Sequence, residues 1–237
     1  MSVKSQIQAY GVTIGLAVAL ALVMRTWVME PYRIPSEAMF PTLEAGDTVL
    51  VNKLRYRSIL GNPALPIQLG DIIVFESPRD RGKEYIKRVV AVSGQRVRLE
   101  NGRLWIDQKL VTVSPSDSPK KGTPSDNRQC GQETLILDSQ PFSYPVCLEP
   151  PYLSSQEDWR VPDGYVFVLG DFRTESLPGS HSLIDAAGNL LGPKGWGMIP
   201  TTSVTGKAER VWLSVKPADE QHKGFKRLRW DRFFKSL

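Results

Sequence analysis

The sequence predicts a mainly β fold: antiparallel sheets forming a core, a second β region inserted into it, and one transmembrane helix at the N-terminus. Three observations carry that expectation. Residues 10–28, "YGVTIGLAVALALVMRTWV", hold a single charge, Arg25, in 19 positions. Beyond residue 44 the apolar run gives way to short alternating stretches broken by Gly, Pro and Asp, the two-residue period of half-buried strands. Within them, "RVRLENGRLWID" alternates Val97, Leu99, Leu104 and Ile106 around Asn101-Gly102, the pair favoured in a type I′ hairpin turn.

The N-terminal run comes first. At about 1.5 Å per residue it reaches roughly 28 Å, close to the hydrocarbon thickness of a bilayer. The rival reading is a cleaved secretory signal, with Lys4 as its basic flank and Ala17, Ala19 and Ala21 as its small residues. Those alanines lie inside the apolar core rather than after it, and Trp27 beside Arg25 suits an interfacial anchor. A retained anchor is therefore expected. Its orientation is not set by charge, because Lys4 and the terminal amine on one side face Arg25 and Arg33 on the other.

Six strands are expected next: "DTVLVNKL", "DIIVFES", "YIKRVVAV", "ETLILD", "GYVFVLGDF" and "ERVWLSV". The stretch between Val113 and Cys130 is too polar and Pro-rich to bury anything, so it reads as a loop or insertion. A second irregular stretch, "LPGSHSLIDAAGNLLGPKGWG", follows the strand that ends near Gly170. The tail "KGFKRLRWDRFFKSL" mixes Phe225, Leu228, Trp230, Phe233, Phe234 and Leu237 with six basic residues. It is either a basic amphipathic helix for a membrane interface or a terminal strand and turn packing its aromatics on the body.

Composition narrows the function classes. A chain of 237 residues can bury a sizeable core. Thirty Lys plus Arg against 25 Asp plus Glu give a net +5, which suits an anionic membrane surface as readily as nucleic acid. No phosphate-cradling loop, helix-turn-helix or RNA-binding aromatic motif accompanies the charge, so nucleic acid is not expected as a partner. With only His181 and His222, and two cysteines, no metal-ligand spacing appears, and neither a metal nor a cofactor is expected. Cys130 and Cys147 are a disulfide candidate: in a body outside the cytoplasm they would close a loop worth about 3 kcal/mol, and otherwise they are free buried thiols.

Two stretches carry chemistry. In "RIPSEAMFPTL", residues 33–43, Pro35 and Pro41 fix φ near −65° at two points, so the residues between them are expected to follow a rigid, largely extended path. In "EYIKRVVAVSG", Lys87 sits in strand alternation with Tyr85 and Val89, among apolar residues and beside Arg88. Apolar surroundings and a neighbouring cation lower a lysine pKa toward that of a general base. The plain alternative is a solvated strand lysine.

"EPYRIPSEAMFPTLEAGDTVLVNK", "GDIIVFESP", "YIKRVVAVSGQRV" with "NGRLWID", and "GYVFVLGDFR" occur in the order and approximate spacing seen in bacterial type I signal peptidases, and the chain resembles that family over nearly its whole length. The resemblance implies a serine-lysine endopeptidase of the bacterial inner membrane that removes signal peptides from exported proteins. It further implies a short cytoplasmic N-terminus (1–9), an anchor (10–28) and an extracytoplasmic catalytic β body (29–237) with an insertion at about 108–160, and names signal peptides and membrane lipid as partners. In the family's Pro-Ser-x-Ser-Met-x-Pro motif the second serine is the nucleophile; that position here is Ala38. By the same resemblance Ser36 belongs to the oxyanion hole, Lys87 is the general base and Ser176 contacts the lysine. Tyr32, Ile34, Pro35, Met39, Leu43, Val74, Glu84 and Ile86 take the substrate-binding positions. The chain departs from the family at "GDFRTESLPGSHS": Gly170, Asp171 and Arg173 match, but Phe172 replaces Asn and "PGSH" replaces an Asp-containing run. His181 stands either near the family's arginine or in a solvated loop.

A methyl group at position 38 has no lone pair and no proton to give, so the chain as written is expected not to cleave peptides, while its groove is left intact. The candidates are a peptidase with its nucleophile removed and a natural pseudopeptidase that binds signal peptides or regulates a partner. A self-cleaving repressor, which shares the chemistry, fits poorly with a hydrophobic N-terminal span. A purely structural β protein leaves the co-occurring motifs unexplained.

Overall fold

The computed structural model describes residues 10–19, 28–58, 65–77, 82–115, 129–137, 140–150, 158–173, 183–184, 190–191, 197–217 and 227–237. Strands are numbered in chain order. The stretches rich in β-branched residues assemble into one seven-stranded sheet in the order β1 (Met29–Arg33), β2 (Asp47–Asn52), β17 (Val204–Ser214), β3 (Ile72–Glu76), β4 (Glu84–Val92), β12 (Tyr165–Leu169) and β16 (Gly197–Pro200). Every pairing within it is antiparallel. A second sheet orders β13 (Phe172–Arg173), β10 (Gln140–Leu148), β9 (Gln129–Leu137) and β8 (Val113–Pro115). A third orders β11 (Trp159–Arg160), β5 (Arg96–Glu100), β6 (Arg103–Ile106) and β7 (Lys109–Leu110), and β14 (Leu183–Ile184) pairs with β15 (Leu190–Leu191).

The β5–β6 hairpin turns at Asn101 and Gly102 with φ of 49° and 76°, the two left-handed residues that a type I′ turn demands. The stretch expected as an insertion, about 108–160, supplies β7 to β11. These strands are not a separate unit: β7 and β11 complete the sheet begun by β5–β6, and β10 pairs with β13 beyond them. Cys130 and Cys147 face each other across the β9–β10 ladder and are joined by a disulfide, with Cα atoms 4.1 Å apart.

Three apolar clusters follow from the sheets. One lies among β1, β2, β17, β3 and β4 and holds Ile34, Met39, Leu43, Val49, Val51, Val74, Ile86 and Val211. Another fills one side of β3, β4, β12 and β16 with Ile73, Phe75, Val89, Val168 and Ile199. The largest joins the main sheet to the two smaller ones through Val90, Leu99, Leu104, Leu135, Tyr144 and Phe167. Each fully buried Val, Leu, Ile or Phe contributes about 1.5–3 kcal/mol by leaving water.

Two expectations are refined. Residues 10–19 are helical, with Val12, Ile14 and Leu16 exposed, and residues 20–27 of the expected span lie outside the described residues. Among the described residues no helix is long and apolar enough to cross a membrane. From residue 227 the tail forms the turn and strand-like bridges of the second reading without its aromatic packing: a 3₁₀ turn at Trp230–Arg232 is flanked by bridges that tie Leu228 to Val215 and Ser236 to Arg210, while Trp230 and Phe234 stay exposed and Phe225 lies outside the described residues. It is held by charge, because Arg232 is buried against Asp47 and Glu44 and Arg229 pairs with the same two carboxylates. Burial alone would raise the Asp47 carboxyl pKa, but hydrogen bonds from Arg232, the Glu44 amide and Ser214 outweigh it and hold it below the ordinary value.

Candidate active site

The segment after β1 is a series of turns rather than the expected extended path. The Phe40 amide donates to the Glu37 carbonyl and the Leu43 amide to the Met39 carbonyl, both at 2.8 Å, and the Phe40–Pro41 bond is cis. These hydrogen bonds satisfy backbone groups that an extended segment without a partner strand would leave open. The turns bury Met39 and Leu43 beneath the sheet and leave Ser36 and Ala38 half-buried and Pro35 exposed at its rim.

Lys87 lies on β4 opposite Ile73, with 7 % of its surface exposed. Burial disfavours its charged form and lowers its pKa to about 8, outweighing the Asp171 carboxylate, which pulls the other way. The neighbouring cation is not the cause of this shift. Arg88 is engaged elsewhere, donating from Nε and Nη2 to Asp171 at 2.8 and 2.7 Å and from Nη1 to the Gly70 carbonyl at 2.9 Å.

Gly170 brings the two chemical stretches together. A Cβ built on it would strike the Ala38 carbonyl oxygen and lie 3.4 Å from Lys87 Nζ, so both groups flank a space that only glycine leaves open. The Phe172 amide also donates to the Ala38 carbonyl, at 3.3 Å. Of the remaining candidates, Ile34, Met39, Leu43, Val74 and Ile86 are buried in one cluster with Tyr32 packed against it, and Glu84 stands at the start of β4 with its backbone carbonyl accepting from the Tyr32 hydroxyl at 2.7 Å. Ser176 and His181 lie outside the described residues.

Behind Lys87 is a buried charge network that single-sequence reading largely missed. Asp171 takes both the Arg88 fork and the Thr42 hydroxyl. The Arg88 guanidinium lies 4.4 Å from the centre of the Tyr144 ring, and the Tyr144 hydroxyl and the Arg173 guanidinium both donate to Glu133. Arg173 also reaches the Gly102 carbonyl at 3.1 Å. Removed from water, these charges are tolerable only because each is paired and hydrogen-bonded. The one available signal was the isolated charge in an apolar strand, as at Glu133 in "ETLILD". Among the described residues no group of three or more His, Cys, Asp or Glu side chains is placed to hold a metal ion.

Such a site holds a largely buried amine of lowered pKa beside a turn whose Met39 and Leu43 join a buried apolar cluster. It lacks a nucleophile at position 38. The family model described as "Signal peptidase, peptidase S26" matches residues 7–213. "Signal peptidase I" of Pseudomonas aeruginosa is 32% identical over 216 residues, covering 86% of this chain and 72% of that protein. "Probable signal peptidase I-1" of Synechocystis sp. is 34% identical over 200 residues, covering 81% and 76%. A crystal structure of a signal peptidase I from Enterococcus faecalis V583 aligns with a TM-score of 0.34 and 22% identity over 60% of this chain and 97% of that one, a likeness too distant to carry weight.

Proposed function

The chain belongs to the signal peptidase family, peptidase S26, and from that premise we propose that it is a single-pass protein of a bacterial inner membrane, with residues 10–28 as its anchor, whose extracytoplasmic body binds signal peptides at the groove between β1 and β4. Lys87 is the general base of a serine-lysine pair, Ser36 contributes to the oxyanion hole, Ser176 supports the lysine, and Ala38 occupies the nucleophile's place. The observation that carries this reading is the buried Lys87 amine, with its pKa lowered to about 8, sharing the space at Gly170 with the Ala38 backbone. A neutral amine there can accept the proton of a hydroxyl at position 38 and return it to a leaving amine. With alanine in that place the proton donor is missing, so the chain binds without forming an acyl-enzyme.

The test is rescue. Losing the nucleophile of a serine protease costs on the order of 10⁶ in turnover, so Ala38→Ser should turn an inert chain into one that visibly cleaves a preprotein after an Ala-x-Ala site. A further Lys87→Ala change should abolish that cleavage. An Ala38→Ser variant that stays inert yet still binds signal peptide supports the second reading, a natural pseudopeptidase. The altered run "PGSH" in place of the Asp-containing segment is what favours that alternative.

A further inference from the structure

The free edge of β4 can be assigned residue by residue. The Ser77 amide donates to the Lys83 carbonyl and the Val89 amide to the Asp71 carbonyl, both at 2.8 Å, so residues 83 and 89 turn their backbone polar groups toward β3. The register between Ile72–Glu76 and Glu84–Arg88 is unbroken. Along an antiparallel ladder such pairs alternate, so Tyr85 and Lys87 also point their backbone groups at β3, whereas Glu84 and Ile86 point theirs to the opposite edge. β12 covers that edge only from Arg88 to Val92. At Glu84 and Ile86 no strand among the described residues pairs with it.

Among the described residues, Tyr32 reaches this edge. The Tyr32 hydroxyl donates to the Glu84 carbonyl at 2.7 Å, although three strands separate β1 from β4 in the sheet order. The sheet has therefore curled until its first strand faces the free edge of its fifth. Glu84 is held from its other end, since its carboxylate accepts the Thr205 hydroxyl at 2.9 Å. The phenol stays a donor at ordinary pH, because burial, and then the Glu84 carboxylate, raise its pKa.

We propose that Tyr32 is a latch across the peptide groove: its hydroxyl occupies the Glu84 carbonyl, the outer acceptor of the free β4 edge, and must leave before an extended peptide can pair along that edge as far as Glu84. The proposal rests on the function proposed above and adds a determinant of affinity to it. A peptide strand adding to an open edge supplies its own amide to each outward carbonyl. At Ile86 nothing competes with that amide among the described contacts, whereas at Glu84 a donor from the same chain is already bound. The resting protein thus favours peptides that pair well enough to displace the hydroxyl, and one whose pairing stops at Ile86 leaves the latch shut.

The test uses the full chain in detergent micelles, titrated with a synthetic signal peptide carrying Ala at the first and third positions before its cleavage site. Tyr32→Phe keeps the ring packed against the core and removes only the donor. Removing a competing hydrogen bond of ordinary strength should tighten binding roughly two- to tenfold, mostly as faster association, with an unchanged thermal midpoint. A truncated peptide that ends before it reaches Glu84 should bind both forms equally. If the parent chain binds the peptide and Tyr32→Phe binds it equally or more weakly, the latch is wrong while the proposed function stands. If neither form binds it, the proposed function fails and the latch with it.

Discussion

At Lys87 a single amine links stability to chemistry. A lysine whose folded pKa is about 8, against an ordinary 10.5, favours the fold only in its neutral form. Its cost is fully present below about pH 8 and gone above 10.5. Between these values the unfolded chain binds more protons, so stability should rise with pH, by on the order of 3 kcal/mol for a shift of this size. Urea denaturation at pH 8 and pH 10 should show that Lys87→Met flattens this rise relative to the parent chain; an equal rise in both would place the titration elsewhere. In the Ala38→Ser variant the same amine should give kcat/KM an acidic limb near pH 8, since the neutral form is the one able to take a proton. The residue type and its apolar neighbours were visible in "EYIKRVVAVSG", but the cause of the shift was not. Arg88 follows Lys87 in the chain, yet Asp171, far away in sequence, claims its charge.

Among the elements, the β9–β10 hairpin has the widest reach. Its disulfide staples Cys130 to Cys147, and the Cys147 amide donates to the Asp171 carbonyl at 2.9 Å, next to the glycine that touches both Ala38 and Lys87. From the same hairpin Glu133 and Tyr144 supply the partners of Arg173 and Arg88. Replacing both cysteines with serine should cost about 3 kcal/mol by the loop-entropy relation, read as a lower urea midpoint at similar slope. No loss of stability would mean that the ladder alone closes the hairpin. The Asn101-Gly102 turn needed nothing beyond local backbone preference. The turns at residues 37–43 were legible only as rigid, because their hydrogen-bond closure depends on where the backbone goes after Pro41.

For the whole molecule the deciding feature is the curl of the main sheet. It brings Tyr32 and Ile34 of the first strand region over Ile86 of β4, with Met39, Leu43 and Val74 beneath. Ile34, Met39, Leu43, Val74 and Ile86 are already buried without a ligand, with Tyr32 packed against them, so the groove proposed above has little spare room and should admit small side chains only. Forcing bulk into a filled apolar site costs about 1–3 kcal/mol. A signal peptide with Ala at the first and third positions before the cleavage site should therefore bind at least about fivefold tighter than one with Leu at both, by titration in detergent. Equal affinities would refute the pocket assignment. The tail packs Leu237 against the same apolar cluster, and its Arg229 and Arg232 clamp the segment at Glu44 and Asp47 that runs on from the candidate site.

By itself the sequence determined the mainly β class, the hairpin at Asn101-Gly102, the candidacy of Lys87 and the empty chemistry of Ala38, because each depends on local periodicity, backbone preference or the atoms of one side chain. Only the tertiary structure decided that Gly170 is the contact between the two motif segments, that Glu133 and Tyr144 support the arginines behind Lys87, that the tail is clamped by Asp47, and that Tyr32 reaches Glu84. Each of these is a pairing between residues from 40 to 185 positions apart, set by sheet curvature and by the need of every buried charge to find a partner, and neither leaves a periodic mark in the chain.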